Sequence, residues 1–459
     1  MNAVRWSHRH TLIFAALVLL LAGIVLPFAA VPATAQDQTE IRFAFWGDPA
    51  EEAAYQAVVD SFESAHPEID VIVDYTPGQS DYYRKIASDF AAGDAPDVYL
   101  TNYRQFGQYA SAGGLAPIQS YLDNSATIAE SDYYELSLDA FRFGAAGELY
   151  CLPQNISSLV VYYNDDLFEA AGVPVPEDGW SWDTFVSAAQ ALTQDTDGDG
   201  TIDQYGVVVT PSMYRMVSWI WGSGGEVVDD IANPTTLTID TPEALAGLEK
   251  FVSLGVSGYN VVPPEEEVAA EADQDRFMRG GAAMFIQSRR PVPTLREITD
   301  FSWNVTSLPV LDQAATVLHS DAFCMAANAD NQDAVWTFIE YAGSAEGQLL
   351  LAETGRTVPS MISVSESDVF LKGVPRTSSD ASPVSSPEAV APLPPSNAQV
   401  YLDNVTVMHR LPSISTWVEV EDAFDAEFDR SFYIEGFDVA AAAQAAIASS
   451  KDAFDRAST

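Results

Sequence analysis

IRFAFWGDPAEEAAYQAVVDSFESAHPEIDVIVDYTPGQSDYYRKIASDFAAGDAPDVYLTN (residues 41–102) is the stretch that decides the fold. Ile41, Phe43 and Phe45 alternate with Arg42 and Ala44, the period of a strand. Pro49, with Glu51 and Glu52 close behind it, suits the first turn of a helix, where a missing N–H costs nothing and negative charge is favoured. Tyr55, Val58, Val59 and Phe62 then recur at helical spacing until His66-Pro67 stops the run. Ile69, Val71 and Val73 alternate as a second strand, Tyr82 to Ala92 reads as a second helix ended by Gly93, and Val98-Tyr99-Leu100 is a third strand. Strand–helix–strand–helix–strand predicts an α/β unit, a parallel sheet with helices on both faces. Ligands of such sheets bind beyond the carboxyl ends of the strands, which places Trp46 to Asp48 and Asn102 to Arg104 at a candidate site.

Upstream, Arg5, His8, Arg9 and His10 precede an apolar run from Leu12 to Leu26 and an Ala33-Thr34-Ala35 pattern. That is the layout of a secretory signal peptide over residues 1–35. The run is about 15 residues, short of the roughly 20 a spanning helix needs. An uncleaved N-terminal anchor is the alternative, and no cysteine stands near the cleavage pattern to carry a lipid. The expected location is therefore outside the cytoplasmic membrane, periplasmic or at the cell surface. The formal charge of −45 opposes binding to nucleic acid or anionic membrane and favours neutral or cationic ligands, unless an arginine-lined pocket overrides the surface. Export permits a disulfide between Cys151 and Cys324, but two cysteines make no framework, and two separate buried thiols is the plainer reading.

Downstream, 459 residues exceed one comfortable core and imply two domains. Ser158 to Tyr163 and Ala282 to Ile286 read as strands, and Val305 to Leu308 as a connection back. Trp182 to Leu192, Met216 to Trp221, Asp333 to Tyr341, Ala345 to Glu353, Leu402 to Met408 and Val418 to Phe428 read as helices. A Ser/Pro-rich stretch near 376–395 has little to bury and reads as an exposed insertion.

Several segments resemble the sugar-binding proteins of bacterial ABC importers, in the maltodextrin and multiple-sugar class. They include Phe45-Trp46-Gly47, AGDAPDVYL (92–100), GGLAPI (113–118), YCLPQNISSLVVYYNDDLF (150–168), WSWDTF (180–185) and DTDGDGTIDQYG (195–206). They continue through WIWGSGGE (219–226), GGAAMFIQSRRPVPTLRE (280–297) and AVWTFIEYAGSAEGQLLLAETGRTVPS (334–360). The matches keep the family's order across nearly the whole chain after residue 35. The resemblance implies a two-lobed periplasmic-binding-protein fold with three interlobe crossovers, near 151–155, 304–305 and 355–359. Lobe one would hold 37–150 plus 306–354, and lobe two 151–305 plus 355–459. The implied partners are a small carbohydrate and the ABC permease subunits, with the binding protein itself a monomer.

A sugar presents hydroxyls at its edge and C–H faces above and below, so its site needs planar polar groups and flat aromatics. The candidates at strand ends and crossovers are Trp46, Asp48, Asn102, Tyr103, Gln154, Asn155, Gln287, Ser288, Arg289, Asp321 and Arg356. Trp219 and Trp221 stand two apart on one helix and cannot both face a ligand. Trp221, beside the Gly turn, is the preferred stacking residue. Trp417 reads as core. Asp195, Asp197, Asp199, Thr201 and Asp203 match the first half of a calcium loop, but Gly206 stands where a bidentate Glu belongs. A solvated acidic turn competes with a structural calcium there, and no other cofactor is required. There is no H-E-x-x-H, no G-x-S-x-G and no cysteine cluster. A transport binding protein is the expectation, with a secreted carbohydrate lyase or hydrolase, an adhesive or sensory module, or a receptor for another polar solute such as a phosphorylated polyol as the competitors.

Overall fold

A computed structural model describes residues 38–373 and 393–457. The leader and most of the Ser/Pro-rich stretch lie outside the described residues. The opening segment folds as its periods dictate. Strand Thr39–Trp46 pairs in parallel along its whole length with Ile69–Thr76, and Phe43 and Ala44 pair with Val98 and Tyr99. Helix Pro49–Ala65 starts where Asp48 accepts the N–H groups of Ala50 and Glu51, both at 3.0 Å. It buries Tyr55, Val58, Val59 and Phe62 on one face. Helix Gln79–Ala92 ends on Gly93, whose φ of 73° is the left-handed cap that glycine takes without strain.

Two sheets organise the chain. The first has the order Ile69–Thr76, Thr39–Trp46, Val98–Asn102, Asp321–Met325, Cys151–Pro153. Its last two strands come from far downstream and run antiparallel to their neighbours, so the sheet is mixed. Phe43, Tyr55, Phe323 and Phe338 fill one of its faces with ring contacts of 5.1 to 6.3 Å. The second sheet has the order Trp303–Thr306, Val160–Asn164, Ala282–Gln287, Tyr205–Val208, with Tyr162, Phe285 and Trp303 clustered on it. Helices Met213–Gly222 and Pro242–Val252 lie against each other so closely that a Cβ on Gly247 would sit 2.2 Å from the Trp219 carbonyl oxygen.

Three chain segments join the two lobes, and they lie side by side. The first passes through Asn155 and Ser157–Ser158; the second returns through Thr316–His319, with Leu318 and His319 paired to Ser158 and Ser157. The third pairs Pro359 with Asn155, and Ile156 N–H donates to the Val358 carbonyl at 2.8 Å. The boundary expected at 304–305 falls inside the second sheet, because Val305 and Thr306 pair with Tyr162 and Val161. The following loop also stays with that sheet: Trp180 Nε1 donates to the Ser307 carbonyl and Asp312 N–H to the Gly222 carbonyl. The chain re-enters the first sheet only at Asp321. The C-terminal part was placed wholly in lobe two, yet helix Trp417–Phe428 packs on helices of both lobes, Tyr103–Ser111 and Met213–Gly222. A closing helix Val439–Arg456 was not anticipated. The expected pair of separate thiols is also corrected. Cys151 and Cys324 oppose each other in the antiparallel register with Cα atoms 4.4 Å apart, and they form a disulfide.

Candidate functional site

The crossings form the floor of a cleft with a cavity volume of about 290 Å³. Trp46, Glu51 and Gln79 border it from the first lobe. Trp46 is nearly enclosed, its ring held 4.9 and 5.2 Å from Tyr82 and Tyr83, so it offers the cavity little surface. Ser212, Tyr214, Arg215, Gln287, Ser288 and Arg290 border it from the second lobe. Asn155, Asp321, Arg356 and Thr357 belong to the crossings, and Glu421 and Asp425 reach in from the C-terminal helix.

The floor is a buried polar network. Asp321 accepts the side-chain amides of Asn102 at 2.9 Å and Asn155 at 3.3 Å, while its own N–H donates to Asn155 Oδ1 at 2.9 Å. Arg356 donates to Asp48 and Glu51, each at 2.5 Å, and so ties the third crossing to the first turn of helix Pro49–Ala65. Burial, opposed by the Arg356 charge, pushes the Glu51 carboxyl up to about 7. Burial pushes Asp48 up as well, but Arg356 and the helix N–H groups outweigh it and hold that carboxyl below its usual range. Arg104 donates to both oxygens of Glu421, at 2.8 and 3.0 Å, and its guanidinium lies 4.8 Å from the centre of the Tyr214 ring. Burial pushes Asp425 up to about 6, and burial holds the His319 imidazole below its ordinary value.

Of the residues expected from sequence, Trp46, Asn155, Gln287, Ser288, Asp321 and Arg356 border the cavity, and Asp48 and Asn102 hold those that do. Others face elsewhere. Tyr103 is buried, its hydroxyl accepting the Leu411 N–H at 3.3 Å. The Gln154 side chain is enclosed. Trp219 is core, packed edge-on against Phe251 at 4.8 Å. Trp221 is 3% exposed and stacks on His409 at 4.8 Å beside a separate pocket, so the preferred stacking residue does not reach this cleft. Arg289 is sunk between Phe370 and Tyr401, its Nε donating to the Gly355 carbonyl at 2.8 Å. Its neighbour Arg290 faces the cleft instead. Arg104, at the strand end the sequence pointed to, borders the cavity as well, while sequence reasoning missed Tyr214, Arg215, Arg290, Glu421 and Asp425. The four-residue spacing of Glu421 and Asp425 put them on one helix face, but nothing local said what that face meets.

In the acidic loop, carboxylate oxygens of Asp195, Asp197 and Asp203 converge within 4.8 Å of one another. Asp199 stands outside that group and accepts the Thr201 N–H at 2.7 Å. Asp195 accepts the N–H groups of Gly198 and Gly200, and hydrogen bonds from Thr196 hold the Asp203 carboxyl below its usual range.

The family model of bacterial extracellular solute-binding proteins matches residues 46–349. A binding protein of Brucella abortus is 24% identical over 327 residues, 70% of this chain and 75% of its own. An ABC substrate-binding protein of Listeria monocytogenes, solved with cycloalternan, superposes with a TM-score of 0.75 at 24% identity, covering 91% of this chain and 98% of that one. The GacH receptor of Streptomyces glaucescens, solved unliganded and with acarbose, gives a TM-score of 0.75 at 22% identity over 91% and 99% of the two chains.

Proposed function

Because the chain belongs to the bacterial extracellular solute-binding protein family, we propose that it is the extracytoplasmic receptor of an ABC importer. It captures a carbohydrate between its lobes as a monomer and hands it unchanged to membrane permease subunits. One observation carries the reading: hydrogen-bonding side chains from both lobes and from the crossings converge on one cleft. The cavity is at the small end of the roughly 300–1,000 Å³ usual for ligand pockets, which suits a ligand of one or a few rings. Receptors of this fold solved with cycloalternan and with acarbose support a saccharide. No helix among the described residues is long and apolar enough to cross a membrane.

A thermal-shift screen against mono- and oligosaccharides, neutral and acidic, tests this. A true ligand at 100 times its dissociation constant should add about 2.7 kcal/mol of stability. Chromatography should recover it intact at one equivalent per chain. Turnover of the sugar would replace the receptor reading with the enzymatic one, and a panel without a single shift would remove the saccharide.

The acidic loop is a weak structural calcium site in this reading, remote from ligand capture. Without a bidentate Glu its affinity belongs to the roughly 10⁻⁴–10⁻³ M class. Ten millimolar calcium should then stabilise the chain by about 1.5–3 kcal/mol relative to chelator. Magnesium should not, and Asp197→Asn should abolish the gain. An unchanged melting curve in calcium would leave a hydrogen-bonded acidic turn.

A further inference from the structure

Charge in the cleft is distributed unevenly between paired and unpaired groups. Two of its four guanidiniums are neutralised in place: Arg104 by Glu421, and Arg356 by Asp48 and Glu51. The remaining carboxylates have donors already. Asp321 takes two side-chain amides, and Asp425 accepts the Met213 N–H at 2.6 Å. The other two guanidiniums make no ion pair among the described residues, although Asp48 and Glu51 feel the Arg290 charge and Asp273 and Asp425 that of Arg215. Arg215 donates Nη1 to Ser212 Oγ at 3.1 Å, and its Nε is buried without a partner. Arg290 is exposed to the cleft and makes no hydrogen bond or ion pair among the described residues. The Tyr214 hydroxyl and the Thr357 hydroxyl are likewise buried without partners beside the same cavity.

A buried N–H of a guanidinium left unsatisfied is costly, more so than a neutral donor. Burial pushes the Arg215 guanidinium down from its ordinary value, which is that cost seen from the proton's side. The surplus in the cleft is therefore of unpaired donors, since its four arginines face four carboxylates, in a chain whose surface is strongly negative. Salt screens that surface beyond about 8–10 Å, so the local arginines decide what is held. Hydroxyls of a neutral sugar can accept hydrogen bonds but give neither guanidinium an ion pair. A planar carboxylate matches the guanidinium fork. A dianionic phosphate meets Glu51, Asp321 and Asp425 across the same small cavity and is repelled more strongly than a monoanion.

Resting on the reading of this cleft as a saccharide site, we propose that the ligand is an acidic sugar whose carboxylate is seated by Arg215 and Arg290. Both residues belong to the second lobe, Arg215 in the first turn of helix Met213–Gly222 and Arg290 just past strand Ala282–Gln287. That lobe holds the acid group, and the polar groups of the first lobe and the crossings are left for hydroxyls.

The test is calorimetric titration of the intact chain with matched pairs: glucuronate and glucose, galacturonate and galactose, digalacturonate and galactobiose, with glucose 6-phosphate as the dianionic arm. At least one acidic member should bind about tenfold tighter than its neutral partner or better. Arg290→Gln, at unchanged melting temperature, should remove most of that preference, and Arg215→Gln should do the same. Neutral members binding as tightly as acidic ones, or a preference that survives both substitutions, would overturn the acidic assignment while leaving saccharide capture standing. Glucose 6-phosphate outranking every uronate would overturn the carboxylate. Binding of no sugar, acidic or neutral, would overturn the saccharide reading itself.

Discussion

Arg356→Met should destabilise the protein by about 3–5 kcal/mol, the usual consequence of removing one partner from a buried ion pair. Arg356 is 7% exposed and is the cation shared by Asp48 and Glu51. Its loss leaves the Glu51 carboxylate, itself 8% exposed, without its ion-pair partner. The penalty should grow with pH. Glu51 already has a folded-state pKa of about 7, above its unfolded value, so its contribution is fully present at low pH and lost as pH rises through 7. Without Arg356 only the weaker pull of the Arg290 charge opposes burial, the carboxyl is pushed higher still, and the variant loses further stability where the parent has finished losing it. Asp48 is depressed, so its share of the penalty is present throughout pH 5 to 8. Guanidinium unfolding of parent and variant at pH 5 and pH 8 measures both effects. Adding Glu51→Gln should recover much of the loss at pH 8, since a neutral amide no longer needs the cation. A penalty below about 1 kcal/mol at both pH values would show that the network contributes to the site and not to stability.

The first strand–helix–strand–helix–strand unit was legible because every signal in it is local: periods of two and 3.6, a proline after Asp48, Gly93 at a helix end. What failed depends on contacts that sequence spacing does not carry. Strand Trp303–Thr306 and the loop after it look like a connection, and only pairing with Val161 and Tyr162, some 140 residues earlier, makes them part of the second sheet. Arg289 and Arg290 are adjacent and chemically identical. Which one is buried is decided by Phe370 and Tyr401, far along the chain. Trp221 was preferred for its Gly turn, yet His409 covers its face. The strand end places Arg104 at the site, but its partner Glu421, 317 residues away, is not legible from that spacing. The strand-end rule pointed to residues that border the cleft; it could not say which side chains helix Trp417–Phe428 adds to it.

Loss of the Cys151–Cys324 disulfide should cost about 2–5 kcal/mol, toward the upper end because the link is long in sequence. Its cysteines are 173 residues apart, and the segment between them holds the whole second sheet. In the unfolded chain the bond closes that loop and removes conformations the reduced chain would regain. In the folded chain it asks little, since antiparallel pairing already places the two residues opposite each other. It also has a position of consequence. Cys151 belongs to the strand that leads into the first crossing, and Cys324 to the strand that follows the second. The bond therefore clamps both crossings where they enter the first lobe, leaving any bending to the segments beyond. Both cysteines are fully buried, so dithiothreitol should not reduce the native protein, and the bond must be opened during unfolding. Guanidinium curves of the parent with and without dithiothreitol compare identical side chains, free of any cavity a substitution would leave. The reduced form should have a lower midpoint and a larger m-value, because its denatured state is more open. Cys151→Ala/Cys324→Ala should reproduce the lower midpoint with a further small loss from the missing sulfurs. Coincident curves for oxidised and reduced parent would mean that strand pairing alone fixes the crossings, and that the disulfide adds nothing to the fold's stability.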